Sequence, residues 1–395
     1  MGELSRPDPA EAKFRNPALW RAAVKAMADL ERLVWNDPLI QDDLTRAEGL
    51  RYLTRLISGA LPMTLDMATP EHPQFFHFLS TRIHYGLPAT DCLYNWAALH
   101  GDHVYRISGD RGSAHLFDIE TRTGHFAHVK DWALFDRRSV FEVGPDNRVE
   151  IVLSRKRQPG NWIQLPEGPG NIIFRQYFYD WLNERPAQLR IVSEGAHYPP
   201  PALSTQQIAE RTQLFIDWLN FLPDRFAQVV RTYYEAPANS MIFDGIDFGW
   251  KDLQYGKGTY NCAEDEALIV EVRLPKAPYW SIQLCSHFWE ARDFHLRQTS
   301  LNGHQAQIDA DGVFRAVISH ADPGVPNWLD AGGHERGLLA IRYYRADSAP
   351  IPAMRKVKLS ILQNELPVST PRLSAEQRQQ SLRERAASVP RRGCE

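Results

Sequence analysis

The chain has only four cysteines in 395 residues (Cys92, Cys262, Cys285 and Cys394), and no two form a CxxC pair. That excludes a disulfide framework and a zinc ribbon and points to free thiols in a reducing compartment. No run approaches the roughly 18 apolar residues of a membrane span. The opening residues, MGELSRPD, lack the apolar core of a secretory signal. A soluble cytoplasmic protein is therefore expected. Charge of one sign is also lacking: 45 Lys and Arg stand against 48 Asp and Glu, a net −3, which argues against a chain-wide nucleic-acid footprint. Four chemical signatures are missing as well: a GxSxG elbow, a Walker loop, a GxGxxG opening a helix after a strand, and HExxH. Nothing signals NAD, FAD or ATP. No cofactor and no metal ligand set is predicted, and neither nucleic acid nor membrane is an expected partner.

What is present is a 43 % hydrophobic chain with 27 Pro, 24 Gly, 11 Trp, 14 Tyr and 18 Phe. It can bury a sizeable core, is rich in turns, and favours β-structure with aromatic-lined cavities. Residues 1–75 read as a helical segment. Asn16 and Pro17 suit the start of a first helix, which Pro38 ends, and TRAE over 45–48 is a capping-box pattern for a second, ended or kinked by Pro62. Residues 76–200 read as a β-rich module, with strands at 103–108, 113–121, 139–143, 148–154, 171–181 and 188–193. Residues 201–240 form a helical connection, capped at Ser204 and interrupted at Pro223, with a second short helix reaching Tyr234. Residues 241–365 read as a C-terminal β-sandwich, with strands at 267–274, 280–288, 313–320, 338–344 and 357–362. Residues 366–395 are a polar tail in which Ser374 caps a surface helix. The fold class is α+β, mainly β: antiparallel sandwich or jelly-roll modules with added helices. No short-period repeat is visible.

Histidine placement is uneven. Eight of the fourteen fall between His72 and His128 and five between His287 and His334. The two segments could face each other across one cleft. HGDH over 100–103 and HFAH over 125–128 are HxxH pairs, but both sit in predicted turn-and-strand territory, so a metal site is only weakly signalled.

Two stretches concentrate acid–base chemistry. In YWSIQLCSHFWEARD (279–293) an aromatic strand runs into ionisable groups, so desolvation could raise the pKa of Glu290 as a general acid requires; the alternative is a carboxylate paired with Arg292 or Arg297. In SHADPGVPNWLDAGGH (319–334), Pro and Gly fix a loop that carries His320, Trp328, Asp330 and His334. Asp330 could set the tautomer of His334; the alternative is that the aspartates cap turns and Trp328 plugs the core. Arg297 and Arg175 would hold an anionic or polar group. Trp328 and Tyr179 would pack on the substrate.

The stretches RAEGLRYLTR (46–55), YRISG (105–109), NW (161–162), RQYFYDW (175–181), RQTSLN (297–302) and DPGVPNWLD (322–330) resemble the domain of unknown function 1214 family, which often stands beside the 1254 family. The resemblance spans about residues 45–345. It implies β-sandwich modules with added helices and no settled reaction. One departure is PATDCLY over 88–94, where Cys92 stands in place of an expected Asn, raising the question of a cysteine nucleophile. The expectation is an enzyme acting on a small organic molecule by cofactor-independent hydrolysis, elimination or isomerisation. His320, Asp330 and His334 would transfer protons, with Glu290 as reserve acid. The alternatives are a non-catalytic carbohydrate or small-molecule binder, and a His-ligated metalloenzyme. A homo-oligomer is left open.

Overall fold

The structure is a computed structural model and describes residues 17–67, 69–128, 130–243 and 252–391. Helix α1 (Ala18–Asp29) follows Pro17, and the expected Asn16 cap lies outside the described residues. A short α2 (Arg32–Trp35) leads to α3 (Asp43–Leu61). The α3 cap is Asp42, whose carboxylate accepts from the Thr45 amide at 2.7 Å, so the capping box expected at Thr45 does not form. Glu48, which would have closed it, is buried elsewhere. Pro62 does end α3, starting a π-helical turn (Pro62–Asp66).

Nine strands follow: β1 (Phe76–Leu79), β2 (Cys92–His100), β3 (Tyr105–Asp110), β4 (Leu116–Thr123), β5 (Leu134–Arg138), β6 (Arg148–Ser154), β7 (Trp162–Gln164), β8 (Pro169–Tyr177) and β9 (Gln188–Ser193). They make two sheets, ordered β1-β2-β8-β4-β5 and β7-β6-β3-β9. Helix α4 (Thr205–Tyr233) opens with the capping box of Ser204 and Gln207 and runs unbroken through Pro223. The expected interruption is absent because Leu219, Leu222, Phe226 and Val230, on either side of the proline, all bury against the same core.

Nine more strands then appear: β10 (Ser240–Ile242), β11 (Leu253–Asn261), β12 (Glu266–Val272), β13 (Tyr279–Cys285), β14 (Ser300–Asn302), β15 (Phe314–Ser319), β16 (Trp328–Asp330), β17 (Arg336–Tyr344) and β18 (Ala353–Lys358). Their sheets are β10-β11-β17-β13-β14 and β16-β15-β12-β18. Adding nine to every strand number of the first module reproduces the second, including its one parallel pair, β6–β7 matched by β15–β16. The molecule is a duplicated nine-stranded sandwich. The period is a whole module, which is why no short repeat is legible.

Each sandwich closes on its own core. Leu93, Ile107, Ile151, Ile172 and Phe174 fill the first, and Leu268, Ile282, Ile318, Leu339 and Ile341 the second. The outer faces of the two five-stranded sheets, with α1, α3 and α4, enclose a third core holding Trp96, Tyr177, Trp218, Phe226, Tyr279, Trp289 and Tyr344. Strand β2 is therefore buried on both faces and its sequence shows no alternation.

The stretch 139–143, expected as a strand, is not one. Val140 and Val143 are exposed, and the turn at Gly144 and Asn147 leads directly into β6. The C-terminal stretch is more ordered than a polar tail. After α5 (Leu362–Glu365), Ser374 caps α6 (Ala375–Arg391) as expected. Arg378 and Arg385 of α6 are buried, the second donating to the Ser300 carbonyl at 2.8 Å. Among the described residues no helix is long and apolar enough to cross a membrane.

Candidate functional site

A cavity of about 820 Å³ opens between the two modules and α4. Its walls follow from the periods of the elements. On β8, Ile173 and Arg175 point into it, while the neighbours Ile172 and Phe174 point into the first sandwich. On β11, Tyr255 and Lys257 share one face, two residues apart. Helix α4 contributes Leu222, Phe226, Val229 and Thr232 at helical spacing, and Arg225 and Gln228, both exposed, also line the cavity. Phe126 and Trp132, in the link between β4 and β5, and Arg122 on β4 add further lining.

One wall carries backbone strain. Leu87 and Trp289 both sit in the left-handed region, at φ 56° and 62°, and the Leu87 amide donates to the Trp289 carbonyl at 2.8 Å. The Trp289 indole donates to the Tyr233 hydroxyl at 2.9 Å. Two non-glycine residues held this way cost energy, which the surrounding packing supplies.

The polar lining is cationic. Arg122, Arg175, Arg225 and Lys257 reach the cavity, and its described lining contains no carboxylate or imidazole. Glu120, behind the wall, accepts from Arg122 at 2.7 Å and lies 3.0 Å from Arg175. Lys257 donates to the Thr232 hydroxyl at 2.9 Å. The Arg122 guanidinium lies 4.0 Å over the Trp132 ring. Burial holds the Tyr94 phenol well above its usual range and also raises that of Tyr255, so both stay neutral. The site offers fixed positive charge, phenol hydroxyls and aromatic faces.

Of the eight residues singled out from the sequence, only Arg175 lines this cavity. His320 bonds the Cys262 carbonyl at 2.8 Å. Asp330 and His334 are not paired with each other: Asp330 accepts from Arg297 at 2.7 Å, and His334 lies 3.1 Å from Glu48 of α3. Glu290 pairs with Arg55 of α3 at 2.6 Å, not with Arg292 or Arg297. Trp328 is buried and donates to the Ser319 carbonyl at 3.1 Å. Tyr179 stacks on His115 with ring centroids 4.6 Å apart.

The cavity takes no histidine from either of the two histidine-rich segments. Among the described residues their rings approach at His84 and His295, which both flank Phe294. No group of three or more His, Cys, Asp or Glu there could hold a metal ion. Cys92 is buried, and burial pushes its thiol up far from the thiolate a nucleophile needs.

The duplication explains the 322–330 loop. Asn327 takes the Gln307 amide on its Oδ1 and donates to the Gln307 and Arg315 carbonyls. In the first module Asn161 takes the Glu142 amide and donates to the Glu142 and Glu150 carbonyls. The next residue is Trp in both, bonded to Ser154 in one copy and Ser319 in the other. The Asn-Trp pair is a device for pinning a loop to its sandwich, and it occurs twice.

The cavity residues Tyr94, Arg122, Tyr255 and Lys257 were missed. One signal could have found two of them. Gly170, Arg175 and Tyr177 of β8 match Gly337, Arg342 and Tyr344 of β17 in order and spacing. Tyr94 is opposite Arg175 in the ladder, and Tyr255 is opposite Arg342.

The geometry defines a two-module β-sandwich protein with a cationic aromatic cavity between its modules. Within the second module, residues 258–348 match the model of the DUF1214 family, described as a protein of unknown function. The chain is also similar to the crystal structure of an uncharacterised protein from Burkholderia cenocepacia, at 27 % identity and TM-score 0.85, over 88 % of this chain and 99 % of that one. A weaker likeness is to the VPA0106 protein from Vibrio parahaemolyticus, at 12 % identity and TM-score 0.46, over 78 % of this chain and 98 % of that one. No curated protein matches.

Proposed function

We propose that the protein binds a small organic anion with an aromatic or apolar body in the cavity between its modules. The observation that supports this reading is the lining itself: four cationic side chains set among Phe78, Phe126, Trp132, Phe226 and Trp289. An apolar wall with a few convergent polar groups is the usual form of a small-molecule site, and arginines suit carboxylate, sulfonate or phosphate heads. Three buried free thiols accord with a reducing, cytoplasmic setting.

A second reading makes the protein an enzyme that acts on this anion by acid–base chemistry. Glu290 supports it. Burial pushes its pKa up to about 7 against the pull of Arg55, and its chain neighbour Trp289 lines the cavity.

Quenching of tryptophan fluorescence tests the first reading, because Trp132 and Trp289 line the cavity. Arene carboxylates and medium-chain fatty acids should bind saturably, while amines of matched size should not. Arg225→Ala, at an exposed position, should weaken the anions roughly two- to fivefold, the range for a partly screened charge, without shifting the melting temperature. Equal binding of amines and anions, or no binding of either, would overturn the proposal. Turnover of a bound anion that is lost in Glu290→Gln would establish the second reading.

A further inference from the structure

The cavity lies across the pseudo-symmetry of the duplication, and its two halves differ in charge. In the first module Arg175 lies 5.7 Å over the Tyr94 ring. In the second, Arg342 lies 5.4 Å over the Tyr255 ring. The pairs meet in the middle: Tyr94 feels the charge of Arg342, and Tyr255 that of Arg175.

What stands behind each arginine is not the same. In the β4–β8 ladder, Asp118 is opposite Arg175 and Glu120 lies two residues further on the same face. Both are carboxylates, and Glu120 pairs with Arg175 at 3.0 Å. The equivalent positions in the β13–β17 ladder are Ser281, opposite Arg342, and Gln283. Both are neutral. Arg342 is 1 % exposed and donates to the Gln283 amide oxygen and the Leu87 carbonyl, each at 2.7 Å. Among the described residues its hydrogen-bond acceptors carry no charge, the Tyr255 phenol included, since burial keeps it protonated. A buried guanidinium held by neutral groups is screened less than one paired with a carboxylate. Leu87 and Tyr255, the groups it touches, are cavity walls, and Lys257 stands beside Tyr255 on the same strand face.

We infer that Gln283 is the residue that makes the cavity selective for anions: with Ser281 it replaces the carboxylate pair of the first module, so the anionic head docks at the Tyr255, Lys257 and Thr232 end. The apolar body then lies toward Phe126 and Trp132 of the first module. This rests on the proposal that the cavity takes an organic anion, and it adds which end holds the head and which residue decides.

The test uses two probes that share a ring skeleton, anilinonaphthalene sulfonate and its uncharged counterpart phenylnaphthylamine. Both are titrated into the full-length protein at matched ionic strength. The wild type should prefer the sulfonate. Gln283→Glu should lower sulfonate affinity about tenfold, and the reciprocal Glu120→Gln should raise it by a similar factor, the size expected for one unit charge roughly 12 Å away at an effective dielectric of about 20. The uncharged probe should bind all three proteins alike, and that also reports an intact cavity in each variant. A preference for the sulfonate that neither substitution changes would overturn the assignment of Gln283 and leave the anion site standing. A wild type with no preference for the sulfonate would overturn both.

Discussion

The Glu290 carboxylate accepts a hydrogen bond from the Arg55 guanidinium at 2.6 Å, joining the N-terminal helix α3 to the turn after β13. Their side chains are 1 % and 12 % exposed. The contact belongs to a stripe of α3. Glu48, Arg51 and Arg55 all point at the second module, where they meet His334, Asp293 and Glu290 respectively. Gly49, in the same stripe, has no room for a side chain, since a Cβ there would sit 2.7 Å from the Phe288 ring. The helix approaches closely and brings its charges into the protein.

That burial makes stability depend on pH in a direction that can be worked out. The Glu290 pKa is raised from an ordinary 4.5 to about 7, mainly by desolvation. A carboxyl raised in the folded state favours the fold while protonated. Its contribution is complete below the unfolded value and is lost as pH rises toward 7, a span worth roughly 3 kcal/mol. His84 acts in the opposite sense: burial lowers its pKa to about 3, so its contribution is present above 6.5 and lost as pH falls. Comparing wild type with Glu290→Gln cancels the histidine. In urea unfolding at pH 5 and pH 8, the wild type should lose up to about 3 kcal/mol relative to the variant on going to the higher pH. A difference that does not change with pH would mean that Glu290 is ionised throughout and Arg55 outweighs burial.

The parts of this fold that were legible in the sequence are those with one wet face. The expected strands 148–154 and 188–193 agree with β6 and β9 to the residue, and the Ser204 and Ser374 caps are where their side chains predicted. Strands β2 and β11 were missed because contact with the third core removes the alternation that marks a strand. The cavity was hidden in part for the same reason, since Tyr94, Tyr255 and Lys257 of its lining come from those strands. The acid–base candidates came from a loop rich in His, Asp and Trp, and local composition cannot show that Asp330 faces Arg297 and His334 faces Glu48. Only the internal comparison of Arg175 with Arg342, and of Asn161 with Asn327, points to the site and separates it from the loop that holds its own sandwich together.

Asp91 makes the second strong prediction. It precedes Cys92 in the stretch that departs from the family pattern, and it is 1 % exposed. Its carboxylate accepts from the Trp181 indole at 2.7 Å, the Tyr279 hydroxyl at 2.6 Å and the Asn302 amide at 2.8 Å. Trp181 belongs to the first module, and Tyr279 and Asn302 to the second. Asp91→Ala would take this acceptor from the Trp181 indole and the Tyr279 hydroxyl, and one of several from the Asn302 amide, so it should cost about 3 kcal/mol or more. Because the lost bonds join the modules, calorimetry should show a broader or split transition in the variant than in the wild type. An unchanged melting profile would mean that this carboxylate does not join the modules energetically.

The loop-pinning asparagines supply the last test, and it bears on how residues 319–334 are read. If the Asn-Trp pair is structural in both copies, Asn161→Ala and Asn327→Ala remove equivalent sets of bonds to backbone groups. Each should destabilise its module by about 1–3 kcal/mol. Neither should alter anion affinity, because both sandwiches keep the strands that line the cavity. Asp330→Asn removes an ion pair whose arginine side chain is half exposed, so it should cost less than about 1 kcal/mol and leave binding intact. Chemical denaturation and anion titration on the three variants together decide the matter. Loss of binding or turnover in Asp330→Asn, with its fold intact, would restore this loop as a working site. Matched losses of stability in the two asparagine variants, with affinity unchanged, would instead establish that the chemistry belongs to the cavity between the modules.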